Sequence, residues 1–461
     1  MLRSLGDGYA MPLIEALATP PSVSIRANTL KDRTVPDGAA LVPWCDNGFY
    51  LPSRPLFAAD PAWHQGLYYV QDASSMVYSH VVAMISRMLE PQAGHGLRYL
   101  DACAAPGGKS TAALEVLPAD ALVVANEYDR HRANILAENI AKSGAPNAVV
   151  TRGDAARFGR MRDAFDIVAV DAPCSGEGMM RKEPEAVRQW SEALVADCAA
   201  TQRRLLESLW EALRPGGVLI YSTCTFNRLE NEEQVDFLVG EYGAESIDLG
   251  LDSFGGVFRG FGTDSHCYRF APGHVDGEGL FVAALRKPGE PTGSVQSQRC
   301  QAPCQKSGDF ISRHLLDASG FVETRIAGTV YAQPAAHAAF IASVGKATDV
   351  MRPGVAVAAE KGRDLVPTQE LALSAALDIS SFACVEADYQ TAMTYLRGES
   401  LQELPEGTPK GFVLLCYGGK PLGFAKNIGR RANNLYPDAM RLRLDPRNLP
   451  ATPPNPLTQA K

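Results

Sequence analysis

The chain of 461 residues is 46% hydrophobic, which is enough to bury a large core and excludes a mainly disordered protein. Its formal net charge of −8 excludes nucleic-acid binding through bulk positive charge, so any such contact must use local basic patches. The sequence has no run of the ~20 apolar residues that would span a bilayer, and no basic stretch followed by a long apolar run at its N-terminus. We therefore expect a soluble, cytoplasmic, monomeric protein of two to four domains, with no membrane partner.

The ten cysteines are spread along the chain without dense pairing, which at this length indicates reduced thiols. Cys300 and Cys304 lie near His314 at a spacing compatible with zinc, but a fourth ligand is missing, so we predict no metal site. An isolated cysteine is most often buried as a small hydrophobic residue. We assign Cys198 and Cys416 to that role.

Short apolar runs organise the chain from its N-terminus. Residues 1–90 are mixed, with a β-like run at 22–28 and a helical stretch at 74–89, and we assign them to a small α+β domain that binds RNA. In the central domain, residues 91–290, short β-rich runs alternate with helix-like segments. These predicted strands are residues 98–102, 121–127, 147–154, 165–173 and 216–224. The alternation predicts a mostly parallel, Rossmann-like α/β sheet with ligands at the carboxyl ends of its strands.

The sequence changes character after the central domain. Residues 291–308 are polar and lack periodicity, which predicts a linker. Residues 309–461 form the last predicted domain, of mixed α/β pattern. Near its end, the stretch GFVLLCYGGKPLGFAKN predicts a β-hairpin that turns at Gly418 and Gly419, followed by a basic loop.

A glycine-containing turn follows the first strand of the predicted sheet. The segment DACAAPGGKS leads from that strand into a helix that we expect to start near Ser110. Gly107 and Gly108 permit close approach of the backbone to a ligand, and the helix N-terminus offers free N–H groups. The spacing fits neither a Walker phosphate loop nor the three-glycine dinucleotide motif. Alone, the turn is a weak indication of a binding site.

Acidic residues follow the next three strands: Glu127, Asp154 and Asp171. An acid after the second strand is placed to accept hydrogen bonds from both ribose hydroxyls of a nucleoside. A competing interpretation is that Asp154, like Asp129, caps a helix, which is the commoner role of aspartate after a strand. The joint pattern favours a nucleoside ligand with cationic groups, such as S-adenosylmethionine.

Two cysteines follow neighbouring strands, Cys174 after the fourth and Cys224 after the fifth, so their thiols should lie close together. No further ligand completes a metal site around them, and they form no Cys-x-x-Cys redox motif. The third interpretation is covalent catalysis, in which a thiolate adds to carbon-6 of cytosine and carbon-5 of the resulting enamine accepts a methyl cation. Loss of the carbon-5 proton then needs a base or second thiol, and Asp171 could hold the base edge. These residues alone leave open which cysteine attacks.

Several motifs resemble the RNA cytosine-5 methyltransferases of the nucleolar-protein and Sun family, and they cover roughly the first 290 residues. The motifs are SIRANTLK, YYVQDASS, DACAAPGGKS, DAPCSGEGMMRK, STCTFNRLENE and DGEGLFVAALRK. The resemblance implies that Cys224 is the nucleophile and that Cys174 acts in product release, whereas in DNA cytosine-5 methyltransferases the cysteine of the Pro-Cys pair attacks. It also implies that S-adenosylmethionine is bound by Cys103, Ala104, Ala105, Pro106, Gly107, Gly108, Lys109, Glu127, Asp154 and Asp171.

The C-terminal stretch YGGKPLGFAKNIGRRANNLYP resembles the tail of the bacterial 16S rRNA branch of this family, a PUA-like RNA-binding module. The resemblance implies 16S rRNA or the small ribosomal subunit as the partner. We expect RNA contacts from Arg26, Asn28, Arg181, Lys182, Lys426 and Arg430. A tRNA cytosine-5 methyltransferase and a non-catalytic, RNA-binding ribosome assembly factor stay open as alternative functions.

Two further features receive structural interpretations. The stretch ENEEQVDFLV, which begins at Glu230, is interpreted as an ordinary acidic helix start that is favourable to the helix dipole. Tyr436 could stack on a base, but an aromatic residue in a mixed domain more often belongs to the core. We predict a site function for neither.

Overall fold

The computed structural model describes residues 5–32, 39–89, 96–290, 308–402, 404–454 and 456–459. Within these ranges, no helix combines the length and the apolar character that crossing a bilayer requires. Cys300, Cys304 and all of the predicted linker except Gly308 lie outside the described residues. His314, which sequence spacing placed near those cysteines, stacks on Phe382 with ring centroids 4.3 Å apart.

Strands and helices are numbered along the chain. The strands are β1 (Val23–Ala27), β2 (Leu41–Val42), β3 (Cys45–Leu51), β4 (Tyr68–Val70), β5 (Arg98–Asp101), β6 (Leu122–Glu127), β7 (Ala148–Arg152), β8 (Phe165–Asp171), β9 (Leu213–Thr223), β10 (Glu245–Ser246), β11 (Phe258–Arg259), β12 (Cys267–Phe270), β13 (Leu280–Arg286), β14 (Phe321–Ile326), β15 (Thr329–Pro334), β16 (Asp349–Arg352), β17 (Val355–Lys361), β18 (Asp364–Pro367), β19 (Ala383–Glu386), β20 (Gly411–Tyr417), β21 (Lys420–Asn427) and β22 (Ala432–Asn434). The α-helices are α1 (Asp7–Leu17), α2 (Pro61–His64), α3 (Val77–Met88), α4 (Gly108–Val116), α5 (Arg130–Ser143), α6 (Pro184–Gln189), α7 (Glu192–Ala212), α8 (Glu232–Tyr242), α9 (Asp309–His314), α10 (Ala338–Ala347), α11 (Gln369–Leu373), α12 (Tyr389–Leu396) and α13 (Pro456–Gln459).

The central sheet has the strand order β11-β12-β13-β9-β8-β5-β6-β7-β16, and β10 pairs with β13. The strands from β9 to β7 run parallel, whereas β13 and β16 join them antiparallel. All five predicted central strands are confirmed as β5 to β9, with ends that differ by at most three residues. The chain runs from β5 outward through β6 to β7 and then returns to β8 on the other side of β5. Ligands bind at such a reversal, beyond the carboxyl ends of the strands.

Both faces of the central sheet are covered by helices. Successive residues of β6 point to opposite faces, so Val123 packs in one core with Val81 of α3 and Leu136 of α5, and Val124 packs in another core with Leu206 of α7. Each fully buried valine or leucine contributes about 1.5–3 kcal/mol. Since both faces are occupied by apolar packing, polar chemistry is confined to the strand ends.

The C-terminal region extends this sheet and adds two others. Strand β16 pairs with β7, and Phe340 of α10 packs against Phe165 with ring centroids 5.4 Å apart. The other two sheets have the orders β14-β15-β17-β18 and β19-β20-β21-β22. The predicted hairpin is confirmed: Gly418 and Gly419 join β20 to β21 with φ angles of 58° and 70°, as a tight two-residue turn requires. The predicted domain bounds stay a prediction.

The N-terminal residues form an antiparallel sheet of order β2-β3-β1-β4. Arg26 of β1 and the adjacent Asn28 are buried. The Arg26 guanidinium lies 3.2 Å from the Glu115 carboxylate on α4, and Asn28 donates to the Ser143 carbonyl on α5 at 2.8 Å. The prediction that Arg26 and Asn28 contact RNA is therefore wrong, because their polar groups join the N-terminal sheet to the central domain.

The acidic stretch at the start of α8 also differs from its prediction. Glu230 and Glu232 are fully buried, whereas Glu233 is exposed. Glu232 forms an ion pair with the buried Arg269, whose Nε donates to its Oε1 at 2.6 Å. These acids therefore serve buried polar contacts in addition to the helix start.

We expect Arg269→Met to lower the free energy of unfolding by roughly 3–5 kcal/mol, because it leaves the Glu232 carboxylate buried without its cation. Chemical denaturation followed by circular dichroism measures this loss. The control is Arg188→Met, which removes an exposed pair with Glu185 and should leave the denaturation curve unchanged. Coincident curves for the two variants would contradict the prediction.

Candidate active site

The turn between β5 and α4 is held in place by side chains from α5. Arg132 donates to the Ala105 carbonyl at 2.9 Å, and Asn139 donates to the Pro106 carbonyl at 2.8 Å. Gly107 has a φ of 110°, a left-handed conformation that favours glycine. The glycine in this motif is thus required by the backbone of the turn itself.

The acidic strand ends differ in what holds them. Asp129 caps α5, and Asp154 caps the short 3-10 helix after β7 by accepting from the N–H of Ala156 at 3.0 Å. The capping interpretation is confirmed for both. Glu127 is 5% exposed, accepts from the backbone N–H of Asp129 at 3.0 Å, and has its other oxygen 3.7 Å from Arg132. A helix cap therefore does not explain the position of Glu127 at its strand end.

A cavity of about 860 Å³ opens at the carboxyl ends of the parallel strands. It brings together six of the predicted site residues: Cys103, Glu127, Asp154, Asp171, Cys174 and Cys224. The predicted residues from Ala104 to Lys109 form the adjoining turn and the start of α4. The volume lies within the range of small-molecule sites, and the lining contains four carboxylates and two guanidinium groups, from Glu127, Asp129, Asp154, Asp171, Arg132 and Arg204.

The two predicted catalytic thiols are in direct contact. Strands β8 and β9 are parallel neighbours with Asp171 opposite Ser222, so the loops that follow them lie side by side. The sulfur atoms of Cys174 and Cys224 are 3.3 Å apart, and both line the cavity. The proximity that the sequence predicted for these thiols is confirmed.

The surroundings make the two thiols unequal. A hydrogen bond from Cys174 is the largest influence on the pKa of Cys224 and lowers it, although burial and the Asp171 carboxylate oppose this; the Lys109 ammonium adds a smaller lowering effect. The hydrogen bond to Cys224, burial and the Glu230 carboxylate raise the pKa of Cys174 well above its ordinary value. Burial also raises the pKa of Cys103. Cys224 is therefore the cysteine of this cavity that favours the thiolate.

Lys109 lies in the first turn of α4, which begins at Gly108, two residues before the predicted start. Its Nζ is 2.8 Å from Asp171 Oδ2, and although burial opposes the charge, this contact raises the pKa of Lys109. Ser222 donates to Asp171 Oδ1 at 2.8 Å, and the Tyr78 hydroxyl lies 2.7 Å from the Ser222 hydroxyl. Asp171 is thus held rigidly beside the thiols. Sequence reasoning missed Ser222 and Tyr78, of which only Ser222 lies in a recognised motif.

A buried carboxylate also joins the loop of Cys174 to the loop of Cys224. Glu177 Oε2 accepts from the N–H of Phe226 at 2.7 Å and from the Thr225 hydroxyl at 2.8 Å, and Oε1 accepts from the Trp190 indole at 3.0 Å. Sequence reasoning missed this residue, because nothing in the letters of DAPCSGEGMMRK shows that its glutamate is buried.

The two basic residues after the Cys174 loop differ in exposure: Arg181 is half-buried and Lys182 is exposed. The Arg181 side chain is 9% exposed and donates to the carbonyl oxygens of Thr19 and Pro20 at 3.0 and 2.7 Å. The donors of Arg181 hold the segment after α1, and its contact with RNA stays a prediction. Lys182 is exposed, with its Nζ 3.7 Å from Glu278.

The C-terminal basic residues lie on the sheet that contains β21. Lys426 is half-buried, with its ammonium 5.2 Å from the centre of the Phe412 ring, and Arg430 is exposed in the loop after β21. Tyr436 is buried with its hydroxyl 3.2 Å from His64, so the core prediction for it is confirmed. The contact between Tyr436 and His64 joins the C-terminal region to the N-terminal region.

Within the described residues, the remaining thiols and acids form no second catalytic or metal-binding centre. In the part of the chain that the structure describes, no three His, Cys, Asp or Glu side chains are grouped so as to hold a metal ion. Cys416 is buried, as predicted, and Cys198 is half-buried on α7.

Three sequence families match the chain, each over a different part. Their descriptions are 16S rRNA methyltransferase RsmB/F for residues 86–286, N-terminal domain of 16S rRNA methyltransferase RsmF for residues 1–73, and Methyltransferase RsmF PUA domain for residues 382–442. Ribosomal RNA small subunit methyltransferase F of Citrobacter koseri is 34% identical, and that of Klebsiella pneumoniae is 33% identical. Both alignments cover 92% of this chain and 91% of the relative.

Solved structures support the fold of about three fifths of the chain. A methyltransferase homologue from Pyrococcus horikoshii is 27% identical with a TM-score of 0.50, covering 62% of this chain and 92% of its own. NSun6 from the same organism, solved with the S-adenosylmethionine analogue SFG, has a TM-score of 0.50 at 20% identity and covers 62% of this chain and 96% of its own.

Sheet order, cavity and sequence matches together define the class of protein, an S-adenosylmethionine-dependent RNA methyltransferase with a C-terminal PUA domain. Within that class, the chain belongs to the RsmB/F family of 16S rRNA methyltransferases. The predicted resemblance and the predicted fold class are confirmed.

Proposed function

We propose that this protein transfers a methyl group from S-adenosylmethionine to carbon-5 of a cytosine in 16S rRNA, in the cytoplasm, through a covalent bond between Cys224 and the base. The observation that carries the proposal is the pair of sulfur atoms 3.3 Å apart, of which Cys224 favours the thiolate. A purely structural role for two cysteines would require neither cavity exposure nor unequal ionisation.

The carboxylates of the cavity fit a nucleoside with cationic groups. Glu127, at the end of β6, would accept hydrogen bonds from the ribose hydroxyls, and Asp154 would line the same side. The turn from Cys103 to Lys109 would form the floor beneath the ligand. Bound there, S-adenosylmethionine supplies an electrophilic methyl group.

The side chains support the following chemistry. The Cys224 thiolate forms a bond to carbon-6 of cytosine, and the electron pair of the 5,6 double bond becomes available at carbon-5. Asp171, held by Lys109 and Ser222, would bind the edge of the base. After methylation, solvent water or another base accepts the proton from carbon-5, and the electron pair of that C–H bond re-forms the 5,6 double bond. The bond from sulfur to carbon-6 then breaks, and its electron pair returns to Cys224. The Cys174 thiol, already hydrogen bonded to that sulfur, would assist its departure.

The decisive test is incorporation of labelled methyl groups into rRNA by the purified protein, followed by bisulfite mapping of rRNA from cells with and without the gene. One or more protein-dependent 5-methylcytosines in 16S rRNA are expected. Methylation confined to tRNA would favour the alternative substrate. Binding of rRNA without any methyl transfer would favour the assembly factor. The candidates that we keep for contact with RNA, since the structure leaves each of them at least partly exposed, are Arg181, Lys182, Lys426 and Arg430.

We expect Glu127→Ala to weaken S-adenosylmethionine binding by roughly 10- to 100-fold, because charge-assisted hydrogen bonds to the ligand would be lost. Isothermal titration calorimetry measures the affinity, and thermal unfolding checks the fold. Glu185→Ala, which removes an exposed acid outside the cavity, is the control and should bind normally. Equal affinity of the two variants would argue against the assigned site.

A further inference from the structure

Glu230 lies buried beneath the two cysteine loops and is surrounded by hydrogen-bond donors. Its Oε2 accepts from the N–H of Ser175 at 2.9 Å and from the Gln202 amide at 2.8 Å. Its Oε1 accepts from the Asn227 amide at 2.6 Å and from the Ser175 hydroxyl. A carboxylate with this many donors is held in one orientation.

This network surrounds the backbone of Cys174. Ser175, which follows Cys174, donates to Glu230, while the same Gln202 amide also donates to the carbonyl of Pro173, which precedes Cys174. Glu230 is attached to the other loop as well, because the Tyr221 hydroxyl of β9 donates to its backbone carbonyl at 2.6 Å. The position of Cys174 relative to β9 therefore depends on Glu230.

The charged groups differ between the two sides of the sulfur pair. In the described residues, the hydrogen-bond partners of the Glu230 carboxylate are all neutral, so its negative charge acts on Cys174 without a paired cation. The titratable groups that face the pair are Glu230 and the neutral Tyr221 on the Cys174 side, and Lys109 and Asp171 on the Cys224 side. Asp171 is itself paired with Lys109.

We propose that Glu230 is a positioning residue that clamps the Cys174 loop against the Cys224 loop and, through its buried charge, keeps Cys174 a thiol so that Cys224 holds the thiolate. The inference rests on the proposed function of Cys224 as nucleophile. Two adjacent sulfurs would compete for one proton without such a bias. With it, Cys174 always donates its hydrogen bond towards the Cys224 sulfur, both before attack and when the bond to carbon-6 breaks.

The test measures initial rates of alkylation of each cysteine by iodoacetamide over a pH series, with peptide mass spectrometry to separate Cys174 from Cys224. In the parent protein, Cys224 should react at lower pH than Cys174. In Glu230→Gln, the alkylation rate of Cys174 near neutral pH should rise roughly tenfold, which corresponds to a change of one pKa unit. Cys174 reacting before Cys224 in the parent protein would overturn the proposal.

Glu177→Gln is the matched control, because Glu177 is a second buried carboxylate that binds the Cys224 loop but does not contact the residues that flank Cys174. It should leave the Cys174 rate at the parent value. An equal rise in both variants would mean that looser loops, and not the lost charge, expose Cys174, and the proposal would fail.

Ser175→Ala keeps the experiment decisive if Glu230→Gln does not fold. It removes a hydrogen bond to Glu230 but retains the charge, so Cys174 should still react after Cys224, and a reversed order would refute the role of the charge. Methyl transfer does not enter these measurements. A protein with the expected order but without activity on RNA would therefore contradict the proposed function and leave the role of Glu230 standing.

Discussion

Replacing Cys224 by alanine is expected to lower methyl transfer to RNA by roughly 10⁴-fold or more, because no other group can form the bond to carbon-6 that activates carbon-5. Cys174 does not substitute, since burial and the Glu230 carboxylate, which both remain in this variant, still raise its pKa. Transfer of labelled methyl groups to rRNA under single-turnover conditions measures the loss. S-adenosylmethionine binding should persist, because the acids on the opposite side of the cavity are unchanged.

Cys198→Ala is the control for this substitution. It removes another half-buried thiol, on α7, that does not line the cavity, and its methyl transfer should match that of the parent protein. A Cys224→Ala protein that retained full transfer would exclude the covalent mechanism, whereas equal losses in both variants would indicate a general effect of thiol removal on the fold.

Cys174→Ala should instead trap the protein on its substrate. We expect turnover to fall by roughly 100-fold or more, because proton transfer assisted by a positioned group contributes at least that much. A covalent protein–RNA adduct should accumulate and remain visible on a denaturing gel. Attack should continue more slowly, since loss of the hydrogen bond from Cys174 removes the largest influence that lowers the pKa of Cys224.

The double variant Cys174→Ala/Cys224→Ala tests the identity of that adduct and should form none. Parent-like turnover of the single variant, without any adduct, would remove Cys174 from the release step. An adduct that survives in the double variant would mean that another residue bonds to RNA.

Much of the fold could be predicted because its signals are local. Runs such as Leu122–Glu127 are apolar over a strand length and alternate with helical segments. This pattern predicted the five central strands, and the acids and cysteines that follow successive strands could be read from the sequence. The hairpin at Gly418 and Gly419 was equally local, because its turn requires positive φ angles. The pairing of β16 with β7 was not predictable, since the partners are almost 200 residues apart and carry no common pattern.

Burial explains the errors in the predicted site. Arg26 was predicted to contact RNA, yet it is buried and its guanidinium donates to protein acceptors far away along the chain. Glu230 was interpreted as part of an ordinary acidic helix start, and it is buried. A charged residue has the same sequence propensity whether it is exposed or buried, and only its neighbours in the tertiary structure distinguish the two cases.

The sequence by itself determined the parallel sheet, the acids at its strand ends and the presence of two cysteines on neighbouring strands, because strand periodicity and motif spacing depend on residues close together in the chain. The tertiary structure decided how those cysteines differ. It set their sulfur atoms 3.3 Å apart, with Lys109 near Cys224 and Glu230 near Cys174. The ionisation of a thiol depends on its burial and on nearby charges. Here the charged groups are Lys109, Asp171 and Glu230, which lie in three separate segments of the chain.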